Sequence, residues 1–116
     1  MVTTLDDLDL TQAKAFALDP HELDELLGTL DASLTTSLQQ LRMPTSEDDF
    51  LRGLHDLKGY LGLVASPDLC DQMWALYDQA RASTPPTACP LPASLVSRLE
   101  VLQQRLSAYR AGIIQP

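Results

Sequence analysis

The sequence predicts an all-α protein, an antiparallel four-helix bundle with an additional short helix at its N-terminus. Three observations predict it. Apolar residues, leucine foremost, recur at steps of three or four along four separate segments, which lays an apolar stripe down one face of a helix. Two of these segments open on a cap residue followed by proline, Asp19-Pro20 and Ser66-Pro67, a strong start signal. No segment alternates apolar and polar residues as a half-buried strand does. Each stripe must be buried, and short connections favour antiparallel neighbours. With 116 residues, 45% of them apolar, the chain suits a single domain around one core.

Residues 1–8 read as a flexible acidic tail with Leu5 and Leu8 as anchors. Residues 9–18 form a short helix: Asp9-Leu10-Thr11-Gln12 fits a capping box, and Ala13, Phe16 and Ala17 follow at helical spacing. The bundle occupies 19–112. Its first long helix starts at Asp19-Pro20-His21-Glu22, carries Leu23, Leu27, Leu30, Leu34, Leu38 and Leu41 on one stripe, and stops at Pro44. Thr45 or Ser46 caps the second, where Glu47, Asp48 and Asp49 suit the positive end of the helix dipole; it is expected to run to about Val64. The third follows Ser66-Pro67 and carries Leu69, Cys70, Met73, Leu76, Tyr77 and Ala80 to near Arg81. Ala82 to Pro92 holds four prolines and reads as a loop. The last helix starts near Pro92 or Ser94, bears Leu95, Leu99, Leu102, Leu106 and Tyr109, and ends at Gly112.

Composition narrows the function. A net charge of −8 argues against nucleic acid, whose phosphates require clustered Lys and Arg, and against an anionic membrane surface. No stretch approaches the roughly 20 apolar residues that span a bilayer. Met1 to Asp7 lacks the basic start and apolar run of a signal peptide, so a cytoplasmic protein is expected, and the start at Met1 with this length suggests a free-standing one. The two cysteines, Cys70 and Cys89, suggest neither a disulfide framework nor a metal site.

The stretch Arg52 to Gly62 stands out, because it reads as mid-helix yet holds three glycines, each costing about 1 kcal/mol relative to alanine. At 100° per residue, Lys58, Gly59, Gly62, Leu51, Arg52 and Asp48 fall within about 60° of His55. Phe50, Gly53, Leu54, Leu57, Tyr60, Leu61 and Val64 occupy the opposite side. The apolar face is complete without His55, so His55 points outward. Gly53 then allows a neighbouring helix close approach, whereas Gly59 and Gly62 clear the surface beside the imidazole for another protein's backbone. Lys58, at i+3, places a cation near whatever the imidazole carries. Neutral imidazole is a nucleophile, and phosphoryl transfer needs positioning and charge neutralisation above all. No phosphate-binding loop or carboxylate cluster accompanies His55. No cofactor is expected, and Mg²⁺ and the second reacting group would come from a partner.

His55-Asp56-Leu57-Lys58-Gly59, on the second long helix of an all-α domain of this size, resembles histidine-containing phosphotransfer (HPt) domains. Their pattern is His, any residue, a hydrophobic residue, Lys, Gly, and the likeness extends to the small residue at Gly62 and to the helix order over about 19–111. The resemblance implies a phosphorelay intermediate with no kinase activity of its own. His55 would carry the phosphoryl group between aspartates of receiver domains, in response regulators and hybrid sensor kinases, with Lys58 as charge partner and Gly59 as clearance residue. Tyr60 stands where many members have a small polar residue, and the wheel puts it at the core boundary, where packing is expected. Ala65 stands at a position often occupied by glycine.

Leu51, Arg52 and Gly62 are expected to join Lys58 and Gly59 in a small patch that docks the receiver. The simplest readings elsewhere are that His21 lies on the surface, that Trp74 and Tyr77 are packing residues, that Cys70 is a small core residue, and that the acidic residues at 6, 7, 9 and 47–49 are solvated. An alternative function is a helical adaptor that docks receivers or a kinase without being phosphorylated, but docking alone needs no nucleophile beside Lys58 and Gly59. The dimerisation domain of a histidine kinase fits less well, because four stripes can close a core within one chain, which also favours a monomer.

Overall fold

The structure is a computed structural model that describes residues 7–83 and 92–112. Over these residues the protein is all-α: α1 (Thr11–Phe16), α2 (Pro20–Arg42), α3 (Glu47–Tyr60), a 3₁₀ turn (Leu61–Leu63), α4 (Pro67–Ala82) and α5 (Ala93–Arg110). Among the described residues no helix is long and apolar enough to cross a membrane. Leu5, Cys89 and most of the proline-rich loop lie outside the described residues.

The helix starts follow from local capping chemistry. The Asp19 carboxylate accepts from the Glu22 N–H at 2.9 Å, with Pro20 in the first turn. Ser46 accepts from Asp49 N–H at 3.0 Å and Ser66 from Leu69 N–H at 3.3 Å. Each satisfies a donor that the helix cannot. At the other end, Gly112 takes a φ of 78° beyond the last turn of α5, where a left-handed residue stops a helix and glycine adopts that conformation without a Cβ penalty.

The stripes supply the core. Leu27, Leu30, Leu34, Leu38 and Leu41 of α2 are buried with Phe50, Leu54 and Leu57 of α3, Leu69, Met73, Leu76 and Ala80 of α4, and Leu95, Leu99, Leu102 and Leu106 of α5. Helix α2 packs on α3 and α5, and α4 packs on α3 and α5, while no Cα of α2 comes within 8 Å of α4 and none of α3 within 8 Å of α5. Helix α1 lies on α2 and the 3₁₀ turn.

The structure departs from the sequence reading at the N-terminus and at the end of α3. Asp7 is buried rather than solvated in a tail. Its carboxylate accepts from Arg98 Nε at 2.9 Å, Arg98 Nη2 at 2.8 Å and Ser66 Oγ at 2.7 Å. Leu8 forms an antiparallel bridge with Ala65. The α-helical part of α3 ends at Tyr60 rather than near Val64. The cause is long-range: Val64 C=O accepts from Asp9 N–H at 2.9 Å, and Ser66 N–H donates to Asp7 C=O at 2.8 Å. The backbone at 64–66 is thereby paired with 7–9 and cannot serve a continued helix. Helix α1 is shorter than expected, and Asp9 accepts from Thr11 N–H at 3.0 Å instead of closing a box with Gln12. Phe16, expected on the inner face of α1, is 70% exposed, and the neighbouring Leu18 is 87% exposed, because only Ala13 of that helix reaches the core.

Candidate functional site

The site lies on the outward face of α3, next to α4. The rotation of α3 is fixed by its inner face, where Phe50, Gly53, Leu54 and Leu57 are buried. A Cβ on Gly53 would stand 3.0 Å from Gln40 Cβ and 3.4 Å from the Ser37 carbonyl oxygen, so α2 approaches the bare backbone here. Tyr60 also locks α3 to α2. Its hydroxyl donates to the buried Ser37 Oγ at 3.0 Å, and burial pushes the phenol up to about 12 despite that hydrogen bond. Tyr60 is a packing residue, as its wheel position implies. Ala65 is buried, so its methyl faces inward.

With that face turned inward, His55 projects into solvent with its side chain 66% exposed. Gly59 and Gly62 are exposed alongside it, and a Cβ on either would meet nothing within 4 Å. Neither has a positive φ, so the backbone does not require glycine at these positions. What the missing side chains provide is open surface. Gly59 lies between two hollows: one shared with His55, Asp56 and the Thr29–Thr36 face of α2, the other with Lys58, Gly62, Cys70 and Trp74. Asp56 Oδ1 is 3.7 Å from His55 Nδ1, beyond hydrogen-bonding distance, which places its negative charge by Nδ1 and leaves Nε2 the more remote nitrogen.

Lys58 is half-buried, and its ammonium is held by aromatic faces. Nζ lies 3.8 Å from the centroid of the Trp74 ring and 4.7 Å from that of Tyr77, both within cation–π range. The Tyr77 ring in turn lies 5.8 Å from the His55 ring, inclined at 58°, and the Arg81 guanidinium sits 5.5 Å from Tyr77 on the same surface.

His55, Lys58, Gly59 and Gly62 are therefore gathered on one surface, and Arg52 is exposed on the same helix. Leu51 is different: it is half-buried and packs against the core, so only part of it is available to a partner. Of the two residues expected to pack, Tyr77 is half-buried against the core and Trp74 is 47% exposed, and both line this site. A signal for Trp74 was present: Leu69, Met73, Leu76 and Ala80 complete the inner stripe of α4 without it. What the sequence did not contain was which outer edge of α4 would lie beside Lys58. Cys70 is half-buried at the flank of the core, where burial raises its thiol pKa. Among the described residues, no group of three His, Cys, Asp or Glu side chains is placed to hold a metal ion.

No protein-family model, curated protein or solved structure matches this chain.

Proposed function

We propose that this chain is a phosphorelay intermediate of the HPt type, which accepts a phosphoryl group on His55 from a receiver-domain aspartate and passes it to the aspartate of another receiver. The observation that carries this reading is an exposed imidazole with an open approach over Gly59 and Gly62 and a lysine ammonium on the same surface. In the forward step a lone-pair nitrogen of neutral His55 attacks phosphorus. The N–P bond forms, the acyl-phosphate P–O bond breaks, the aspartate leaves as carboxylate, and the imidazole N–H proton passes to solvent. The receiver supplies Mg²⁺ and the second reacting group, so the chain needs no kinase activity of its own.

The backbone approaches of α2 to α3 and α5 and of α4 to α3 and α5 support an antiparallel four-helix bundle, and a core closed within one chain favours a monomer. The receiver-docking patch is formed by Arg52, Lys58, Gly59 and Gly62 with the exposed part of Leu51. A cytoplasmic location follows from the location of such partners.

The test is to mix the purified protein with several ³²P-labelled receivers and to look for acid-labile, base-stable label. Label on the wild type and none on His55→Gln is expected. No label with any receiver would remove the relay reading, and label that survives His55→Gln would place the chemistry elsewhere.

A further inference from the structure

Lys58 lies against aromatic rings rather than a carboxylate; among the described residues no Asp or Glu pairs with it. The indole that holds it is nearly half exposed and lies off the buried stripe of α4, so the core does not require a tryptophan at this position. A carboxylate partner would cancel the lysine charge and compete with an incoming phosphate. A π face attracts an ammonium but leaves it a full positive charge. The same aromatic pair reaches His55, through the 5.8 Å contact of its ring with Tyr77.

We propose that Trp74, supported by Tyr77, is a positioning residue that stores the Lys58 ammonium beside His55, and that phosphorylation of His55 draws the ammonium off the indole onto the phosphoryl oxygens. This deepens the phosphorelay reading and rests on it for its purpose. The switch itself can be driven without a receiver. Phosphoramidate loads an exposed imidazole directly: the ring nitrogen bonds to phosphorus, the P–N bond of the reagent breaks, and the ring N–H proton leaves with the ammonia as ammonium. Trp74 is the one tryptophan of the chain, so the indole emission comes from this site, and Lys58→Met isolates the part due to the ammonium.

The experiment uses the full chain carrying His21→Gln, which removes the other histidine, with loading followed by intact mass. In the unloaded protein, the Lys58 side-chain methylene protons should be shifted upfield by the indole ring current, and the shift should vanish in Trp74→Leu. Only two lysines have to be assigned. On loading, Trp74 emission should change, and the change should be lost in Lys58→Met. In receiver-driven transfer, Trp74→Leu should slow the rate about two- to fivefold, the range of an exposed cation–π contact, and Trp74→Phe should restore most of it. Absence of the ring-current shift overturns the proposal, as does an emission change of equal size in Lys58→Met. If receivers fail to load His55 while the ring-current shift and the phosphoramidate-driven emission change both appear, the relay falls and the ammonium switch stands. If receivers load His55 and the indole stays silent, the switch falls and the relay stands.

Discussion

Gly53 and Gly59 are the same residue on the same helix with opposite surroundings, and they predict opposite outcomes for the same substitution. At Gly59 an added methyl meets nothing within 4 Å, so Gly59→Ala should gain the helix-propensity difference and raise stability by about 0.5–1 kcal/mol. At Gly53 the methyl would lie 3.0 Å from Gln40 Cβ and 3.4 Å from a backbone oxygen of α2. Neither atom is the free end of a flexible side chain, so α2 must shift. Overpacking costs about 1–3 kcal/mol, and Gly53→Ala should be destabilising on balance. Urea unfolding of both variants checks the pair, and a stability gain at Gly53 would mean that the helices are not held at this spacing. A larger residue, Gly59→Leu, should leave the fold intact yet slow phosphoryl transfer at least about tenfold, since obstructing a docked partner by about 1.4 kcal/mol suffices. At this scale the helical wheel was enough to orient His55, Gly53 and Gly59, because orientation on a helix follows from period alone. It was not enough for Trp74, whose role depends on a contact with a different helix, or for Phe16, the last residue of a six-residue helix that brings only Ala13 to the core.

The elements divide by where their boundaries are decided. The starts of α2, α3 and α4 are set by residues a turn apart, so Asp19, Ser46 and Ser66 were readable as caps and each accepts the expected backbone N–H. The end of α3 is set by residues 7–9, which pair with 64–66 across the chain, and no local pattern reveals such a pairing. Ser66 belongs to both categories. Its hydroxyl oxygen caps α4 while its proton goes to Asp7, whereas Ser46 caps α3 without such a second tie. Losing a cap costs about 1 kcal/mol, and a further hydrogen bond to a buried carboxylate adds about 1–2 kcal/mol. Ser66→Ala should therefore cost roughly twice what Ser46→Ala costs, read as the shift in urea midpoint at constant slope. Equal losses would show that the Asp7 contact adds nothing to the cap.

The molecule as a whole was legible in four stripes, because each long helix has one apolar face to bury and the four faces meet in one core. What the stripes do not encode is the polar tie that joins distant parts of the chain. Asp7 engages Arg98 through both carboxylate oxygens, and Arg98 also donates to Asp68 at the start of α4 at 2.9 Å. Segment 7–9, α4 and α5 thus share one ion cluster in a chain of net charge −8. The hydrogen bonds from Arg98, reinforced by Ser66, hold the Asp7 carboxyl below its ordinary value of 3.8 although burial opposes this. A carboxyl depressed in the folded state contributes stability that is complete above its unfolded pKa and is lost as pH falls through the folded value. Asp7→Asn should accordingly cost about 1–3 kcal/mol near neutral pH, where it weakens a buried charge-assisted network but leaves Arg98 its Asp68 partner. The cost should shrink as pH falls below 3.8, where protons bind the unfolded carboxyl first and so remove part of the advantage of the Arg98 pairing. Urea midpoints of both proteins at about pH 7 and about pH 2.5 check this, with the difference between them as the readout so that the titration of other carboxylates cancels. A gap of the same size at both pH values would show that the Asp7 side chain stabilises by shape and neutral hydrogen bonding, with its charge contributing nothing.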